Sequence, residues 1–481
     1  MKSGPRWPRP RRSFRTDAGA FIPEELDVRI RHHDRSDEQR TAQQFLRGGR
    51  VNGLEADCGV LVLADDLTGA ADAAVALARH ALTAEVVLHA DGVAHAGADV
   101  VALDLDTRRM TARMAARTVA HAVAVTATSR RRLFKKIDST LRGHIGAELA
   151  ALARSMPARA DSTRVLYLVA SAHPDLGRTM IQGELMVRGE LVPEGISLSR
   201  DLEAHGFVCR LLPQTLLDSC TETALRERVE AAAVPARAAL ICDSQSMDDL
   251  RRIAAAASAT AIDCVWVGSG GLALALADVL HRGKRDSSEG WQTLDDSRPR
   301  SPGQRDRPIA LVVGSYSNVA HAHVRQLVTA GDIQVIALDP RKEASRSEAE
   351  AAARVDAAVS SNRDVVIYIE SGLVVRPELS AALARRLAST IAPQLSRLAG
   401  LIVCGGETSR ALLDFVGVRH LSLEASAELG ATRATTPSYP DLALVLKAGA
   451  FGNRDVLLRL RQQLKLNGPF NRTRAPSQGC S

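Results

Sequence analysis

The segment LFKKIDSTLRGHIGAEL, residues 133–149, places Lys135, Lys136, Asp138, Ser139, Thr140 and Arg142 within eight residues. Such a set can hold a small polyhydroxylated anion: cations meet its carboxylate, and the oxygens accept from or donate to its hydroxyls. Three other short stretches share this character. They are ADDLTG (Asp65, Asp66, Thr68), DLDTR (Asp104, Asp106, Arg108) and AHPDLGRT (His173, Arg178, Thr179). Taken singly, each has a plainer reading. Paired lysines often guard a strand edge, Asp65-Asp66 could be a helix cap with a solvated neighbour, and His173 beside Pro174 reads as structural.

A second group differs in composition: Gly314, Ser315 and Ser317 in VVGSYS, Gly405, Gly406, Glu407 and Thr408 in CGGETS, and Lys447, Gly449 and Gly452 in LKAGAFG. Small residues let backbone amides come close to phosphate oxygens, although a glycine pair also makes an ordinary turn. The sequence has neither a G-x-x-x-x-G-K-[ST] loop nor a G-x-G-x-x-G fingerprint after a strand, so the commonest nucleotide signatures are missing.

What must position these residues is an alternation of short aliphatic strands and alanine-rich helices. CGVLVLADD, AEVVLHA, ADVVALDLDTR, RRLFKKI, TRVLYLVASAHPD, AALICDS and DCVWVGS read as strands, with helical spacing in LTGAADAAVALARHA, MDDLRRIAAAASA and GGLALALADVL. LMVRGELV suggests a hairpin. Residues 283–308 are polar and rich in charge, Ser, Pro and Gly, as in an interdomain linker. Strands return in IALVVGS, IQVIALD, DVVIYIE, GLIVCGG and LALVLKAG. The pattern predicts an α/β protein of two α/β domains with mainly parallel sheets, residues 53–282 and 309–466, followed by a tail at 467–481. In such sheets ligands gather at the carboxyl ends of strands, which is where both groups of residues fall.

Composition narrows the class. With 46% hydrophobic and 24% charged residues, the 481-residue chain can fill two cores. No apolar run approaches the roughly 20 residues that span a bilayer, so no membrane is expected. The seven cysteines form no C-x-x-C or zinc-spaced set and fit a reducing, cytoplasmic setting. Of the net charge of +7, an excess of five lies in residues 1–50, which hold 12 Lys/Arg against 7 Asp/Glu. The body is near neutral and lacks an aromatic-interleaved basic stripe, so no nucleic acid is expected as partner. The RRSFR sequence is not followed by the apolar segment of an export signal. Residues 1–52 read as a disordered basic extension.

VLADDLTGAADAA, KKIDSTLRGHIGAEL, HPDLGRTMIQGELMVRG, VGSGGLALALA, VVGSYS, CGGETS and LKAGAFG stand in the order found in the four-carbon acid sugar kinases, and the sequence resembles that family from about Gly59 to Leu458. The resemblance implies an N-terminal substrate-binding domain, a C-terminal nucleotide-binding domain, and transfer of the γ-phosphoryl group of ATP to the 4-hydroxyl of a tetronate. The form KKIDSTLRG looks like the threonate and erythronate branch, because the 3-oxo-tetronate branch carries a cysteine- and phenylalanine-containing version. D-threonate is therefore the first expectation, with D-erythronate and 3-oxo-tetronates as alternatives. A catalytically silent sensor of the same ligands is the alternative from another class.

By the resemblance, substrate contacts lie at Asp65, Arg108 and Lys135, Lys136, Ile137 and Asp138, and ATP contacts at Ser315, Gly405, Gly406, Glu407, Thr408 and Gly449. Arg142 adds positive charge beside them. Asp138 and Asp66 are both candidates for the carboxylate that takes the hydroxyl proton. Mg²⁺ is expected on the ATP phosphates, with no protein ligand assigned to it, and assembly into a homo-oligomer is left open. The linker implies a cleft that closes over both substrates. Three departures bear on the nucleotide side. KAGAFG stands in place of K-S-G-N-F-G, Ala320 replaces a threonine, and ELGATRATTP lacks a P-G-V-P turn.

Because residues 1–52 have no apolar period, their deletion should leave melting temperature and turnover nearly unchanged. A large loss in either would mean that the segment packs on the body.

Overall fold

Runs such as VLVLA, VVALD, IALVV and GLIVC have no polar face, so the strands they form must be covered on both sides. In the computed structural model they are buried at every position. It describes residues 59–467 apart from 80–81, 127–130, 157–163, 193–196, 235, 281–306, 316, 341–343, 371–376, 425–427, 429 and 450. The expected extension, most of the linker, the tail after Asn467 and Ala450 lie outside the described residues.

The first half contributes β1 (Val60–Ala64), β2 (Ala84–Val87), β3 (Val100–Asp104), β4 (Arg132–Lys136), β5 (Val165–Ala170), β6 (Arg178–Ile181), β7 (Glu184–Val187), β8 (Glu190–Leu191), β9 (Val208–Leu212), β10 (Ala238–Cys242) and β11 (Asp263–Gly268). The second contributes β12 (Ile309–Val313), β13 (Gln334–Leu338), β14 (Val365–Ile369), β15 (Gly400–Cys404), β16 (His420–Glu424), β17 (Ala431–Thr436) and β18 (Tyr439–Lys447). Strands β6, β7 and β8 form a small antiparallel sheet, which includes the expected hairpin.

Register explains why distant residues meet. Ala64 lies opposite Asp104 and Lys136, and Gly268 opposite Lys136 and Ala170, so β1, β3, β4, β11 and β5 end level. In the second half Val313 is opposite Cys404, and Cys404 opposite Lys447. Each level row of strand ends delivers its loops to one place.

The α/β fold with mainly parallel pairing is as expected, but the two sheets are not separate. Strands β18, β17 and β16 pair antiparallel, and β16 pairs antiparallel with β2, His420 opposite Val87. The result is one sheet of 15 strands running from β13 to β9. No helix among the described residues is long and apolar enough to cross a membrane.

Side chains also cross between the halves. Arg410, on the helix Gly406–Phe415, donates to Asp104 Oδ2 at 2.9 Å and to the Leu88 carbonyl at 3.1 Å. Asp104 is fully enclosed, and burial pushes its carboxyl up to about 7 against the pull of Arg410. The folded chain thus holds a proton there that the unfolded chain releases near its ordinary 3.8. This carboxyl therefore makes stability fall as pH rises from about 4 to 7. Urea midpoints measured at pH 5 and pH 8 should differ less in Asp104→Asn than in the parent chain; an equal difference would remove Asp104 as its source.

Candidate active site

The level strand ends of both halves open into one cleft of about 580 Å³. Its walls include Asp66, Arg108, Lys136, Asp138 and Arg142 from the first half, and Ser315, Gly405, Gly406, Glu407, Thr408 and Gly449 from the second. Of the fourteen residues given a substrate, nucleotide or catalytic role from the sequence, eleven therefore share one cavity.

On the first wall, Asp66 caps the helix Leu67–Leu77, its Oδ1 accepting from Gly69 N–H at 3.0 Å and its Oδ2 from Thr68 Oγ1 at 2.8 Å. Arg108 reaches back from the loop after β3. Its Nε and Nη2 donate to the two oxygens of Asp65 at 2.8 and 2.9 Å, and Nη2 lies 2.8 Å from Asp66 Oδ1 and 3.5 Å from Asp138 Oδ1. Burial disfavours this cation, but the three carboxylates outweigh it and hold Arg108 above its ordinary pKa.

Asp138 is the better satisfied carboxylate. Arg142 Nε and Nη2 each donate to it at 2.8 Å, Thr140 N–H donates at 3.0 Å, and the Thr140 hydroxyl makes a short bond to the same oxygen. Burial favours its neutral form, yet Arg142, Arg108 and Thr140 hold it well below the usual carboxylate range. Lys136 is a buried cation whose Nζ donates to the Ile137 carbonyl at 2.9 Å. Among the described residues no ion pair engages it.

The other three of the fourteen are not on the cleft wall. Lys135 points to the opposite face of β4 from Lys136, as the strand period of two requires, and is fully buried in an ion pair with Glu148 at 2.7 Å. Ile137 belongs to the apolar core. Asp65 sits behind Arg108 and orients it.

The second wall is built for close approach. Gly405 has φ +113°, and a side chain on Gly406 would begin 2.8 Å from Asp66 Oδ2, so the two walls touch at this glycine. The helix Gly406–Phe415 starts here without a side-chain cap, and its first turn lines the cleft. In the KAGAFG loop the carbonyls of Ala448, Gly449 and Phe451 are taken up by side chains. Buried Lys447 Nζ donates to Ala448 O at 2.8 Å and Phe451 O at 2.6 Å, and Ser317 Oγ donates to Gly449 O at 3.0 Å. The Ala448 N–H is itself bonded to the Gly430 carbonyl at 2.9 Å, and Ala448, Gly449 and Phe451 line the cleft.

Some residues were not assigned a role from sequence. Arg109 pairs with Glu407 and donates to Ser380 Oγ at 2.7 Å, which closes one end of the cleft across the halves. Asp72 and His173 also line the wall; His173 is buried, its Nδ1 has no partner, and burial lowers its pKa. Adjacency to Arg108 was the only sequence signal for Arg109. Among the described residues no group of three His, Cys, Asp or Glu side chains could hold a metal ion.

Comparison with known proteins agrees with this two-walled arrangement. Residues 60–276 match the family model of a sugar-binding N-terminal domain, and residues 310–457 that of a nucleotide-binding C-terminal domain. A D-threonate kinase of Cupriavidus necator is 32% identical, covering 87% of this chain and 99% of the relative. A 3-oxo-tetronate kinase of Methylobacterium radiotolerans is 28% identical over 82% and 96% of the two chains. A D-erythronate kinase of Heliobacterium modesticaldum is 25% identical over 82% and 94%. A crystal structure from Salmonella typhimurium LT2 shares the fold, with a TM-score of 0.66 at 21% identity over 84% of this chain and 99% of that one.

A sugar-binding half joined to a nucleotide-binding half defines a phosphotransferase. More narrowly, the chain belongs to the four-carbon acid sugar kinase family.

The two adjacent lysines should fail differently. Lys135→Met strands Glu148 in the core and should cost about 3–5 kcal/mol of stability. Lys136→Met should leave the melting temperature near that of the parent and instead raise KM for a sugar acid. Reversal of these two phenotypes would interchange the assignments.

Proposed function

We propose that the chain transfers the γ-phosphoryl group of ATP to the 4-hydroxyl of a four-carbon sugar acid, with D-threonate as first choice. The observation that carries this reading is the placement of buried Lys136, without a counterion among the described residues, in the same cleft as the glycine- and serine-lined loops of the second half. D-threonate is favoured by the 32% identity to the Cupriavidus necator relative and by the KKIDSTLRG form of the β4 segment. D-erythronate and 3-oxo-tetronates are the alternatives.

Lys136 would meet the substrate carboxylate, and Arg108 and Asp138 its hydroxyls. Ser315, Gly405, Gly406, Glu407, Thr408 and Gly449 would receive the nucleotide. The 4-hydroxyl oxygen forms a bond to the γ-phosphorus, the bond from that phosphorus to the β–γ bridging oxygen breaks, and ADP leaves. The hydroxyl proton passes to a carboxylate. Asp66 suits this role better than Asp138. Asp138 is saturated by Arg142 and Thr140 and holds protons poorly, whereas Asp66 stands at the contact with Gly406, where the walls meet.

Mg²⁺ would neutralise charge on the phosphates and, given the sparse carboxylates on the second wall, would arrive on the nucleotide's own oxygens. The altered KAGAFG loop is compatible with this, because Gly449 lines the cleft without a side chain to obstruct a phosphate.

ADP release coupled to each of the three tetronates, with and without Mg²⁺, tests the reading. We expect turnover to be highest with D-threonate. Asp66→Asn should lower kcat by about 10²–10⁴-fold with sugar-acid binding retained, and by more than Asp138→Asn. ATP and tetronate binding without turnover on any of them would identify a sensor rather than an enzyme.

A further inference from the structure

Two glycines in VGSGGLALALA, Gly270 and Gly271, open the helix Gly270–Leu280 beside the loop that follows β5. What they supply there is space. A side chain on Gly271 would begin 2.4 Å from the Ala172 carbonyl oxygen. One on Gly270 would begin 2.6 Å from Asp72 Oδ2 and 3.2 Å from His173 Nε2, so both polar atoms border the same small gap. Asp72, His173 and Gly270 all line the cleft.

The two side chains at this gap complement each other. Asp72 lies on the helix Leu67–Leu77 about one turn after Gly69, where a side chain would begin 3.0 Å from Lys136 Nζ. Among the described residues no hydrogen bond or ion pair engages its carboxylate. The backbone of His173 is fixed: its N–H donates to the Arg178 carbonyl at 2.9 Å, and its carbonyl accepts from Leu176 and Arg178 N–H at 2.9 and 3.1 Å. Its ring is not so engaged. The residue is only 3% exposed, and Nδ1 is enclosed without a hydrogen-bond partner. Burial lowers the pKa of the ring against the pull of Asp72, so the neutral form is favoured. A neutral ring carries one proton, and a buried N–H with nothing to donate to is the costlier arrangement. The proton therefore belongs on Nε2, at the gap that Asp72 also borders. A donor and an acceptor beside one gap match an alcohol, which accepts from the first and donates to the second, whereas a ketone can only accept.

We propose that Asp72 and His173 form a subsite for one secondary hydroxyl of the sugar acid, with His173 Nε2–H donating to the hydroxyl oxygen and Asp72 accepting a hydrogen bond from it. This rests on the reading above, in which Lys136 takes the substrate carboxylate and the 4-hydroxyl is the one that reacts. The hydroxyl held here is then that of C2 or C3, and the pair selects a hydroxy acid over the oxo acid at that carbon.

Calorimetry on the full chain, with and without ADP, tests this with D-threonate and its 2-deoxy and 3-deoxy analogues. The parent should bind one of the two deoxy acids about 10–100-fold more weakly than D-threonate. That difference should shrink by at least about fivefold in Asp72→Asn and in His173→Leu, while His173→Gln, whose amide nitrogen can reach the place of Nε2, should retain part of it. If the weak ligand is the 3-deoxy acid, Asp72→Asn should also narrow the preference for D-threonate over a 3-oxo-tetronate. Equal weakening of all ligands by the variants would make the pair a structural support, and an unchanged difference, or a parent that binds both deoxy acids as well as D-threonate, would also overturn the proposal. If ADP release shows no turnover of any tetronate while the hydroxyl-dependent difference persists, the kinase reading fails and the subsite stands. Turnover by the parent with the difference intact in both variants removes the subsite alone, and a parent that binds no tetronate overturns both.

Discussion

Arg108 gathers three loops that would otherwise repel one another. Asp65 and Asp66 follow β1, Asp138 follows β4, and the arginine itself follows β3. Without its charge, three carboxylates would crowd one end of the sheet, and some would have to take up protons. With it, Asp138, whose oxygens Arg142 and Thr140 fill, and Asp66, which caps its helix, stand together as anions, and among the described residues Lys136 makes no ion pair. The held carboxylate and the candidate base of the cleft are brought together by this guanidinium, with Arg142 completing the first.

Much of this was legible because parallel strands write themselves as continuous aliphatic runs, and because the polar residues that follow such runs collect at one rim. The first wall could therefore be listed almost completely. Three residues grouped with the others by motif are set off the cleft wall by the fold. KKID alternates across a strand, so Lys136 can face the cleft only if Lys135 faces the core, where it needed Glu148. Ile137 follows the same logic toward the apolar side. Asp65 was named as a contact and is placed one layer behind, since a bidentate arginine uses both its oxygens.

What the sequence hid were contacts between its two ends. Arg109 and Glu407 are 298 positions apart, and Arg410 and Asp104 are separated by 306. No local period encodes such pairs. The joining of the sheets was hidden for a related reason. HLSLE and ATRATT are short and half polar, and AEVV, the partner of HLSLE, lies far upstream. Edge pairing depends on which edges meet in space rather than on composition.

The join has a mechanical consequence. Three successive antiparallel steps separate β2 from β18, so the two parallel blocks run in opposite senses within one sheet. Both nevertheless send their carboxyl ends into the same cleft. Six pairings lie between β1 and β15, and at roughly 20–25° each they turn the strand direction by about 120–150°, enough to bring the opposed rims to face each other. The linker was expected to let a cleft close between separate domains, but the β2–β16 ladder ties the halves by backbone hydrogen bonds that a free hinge would have to break. The cleft can widen by unwinding a few degrees at every rung. The backbone that shapes the site then acts as a torsion spring, with the work of admitting substrates spread along the whole ribbon.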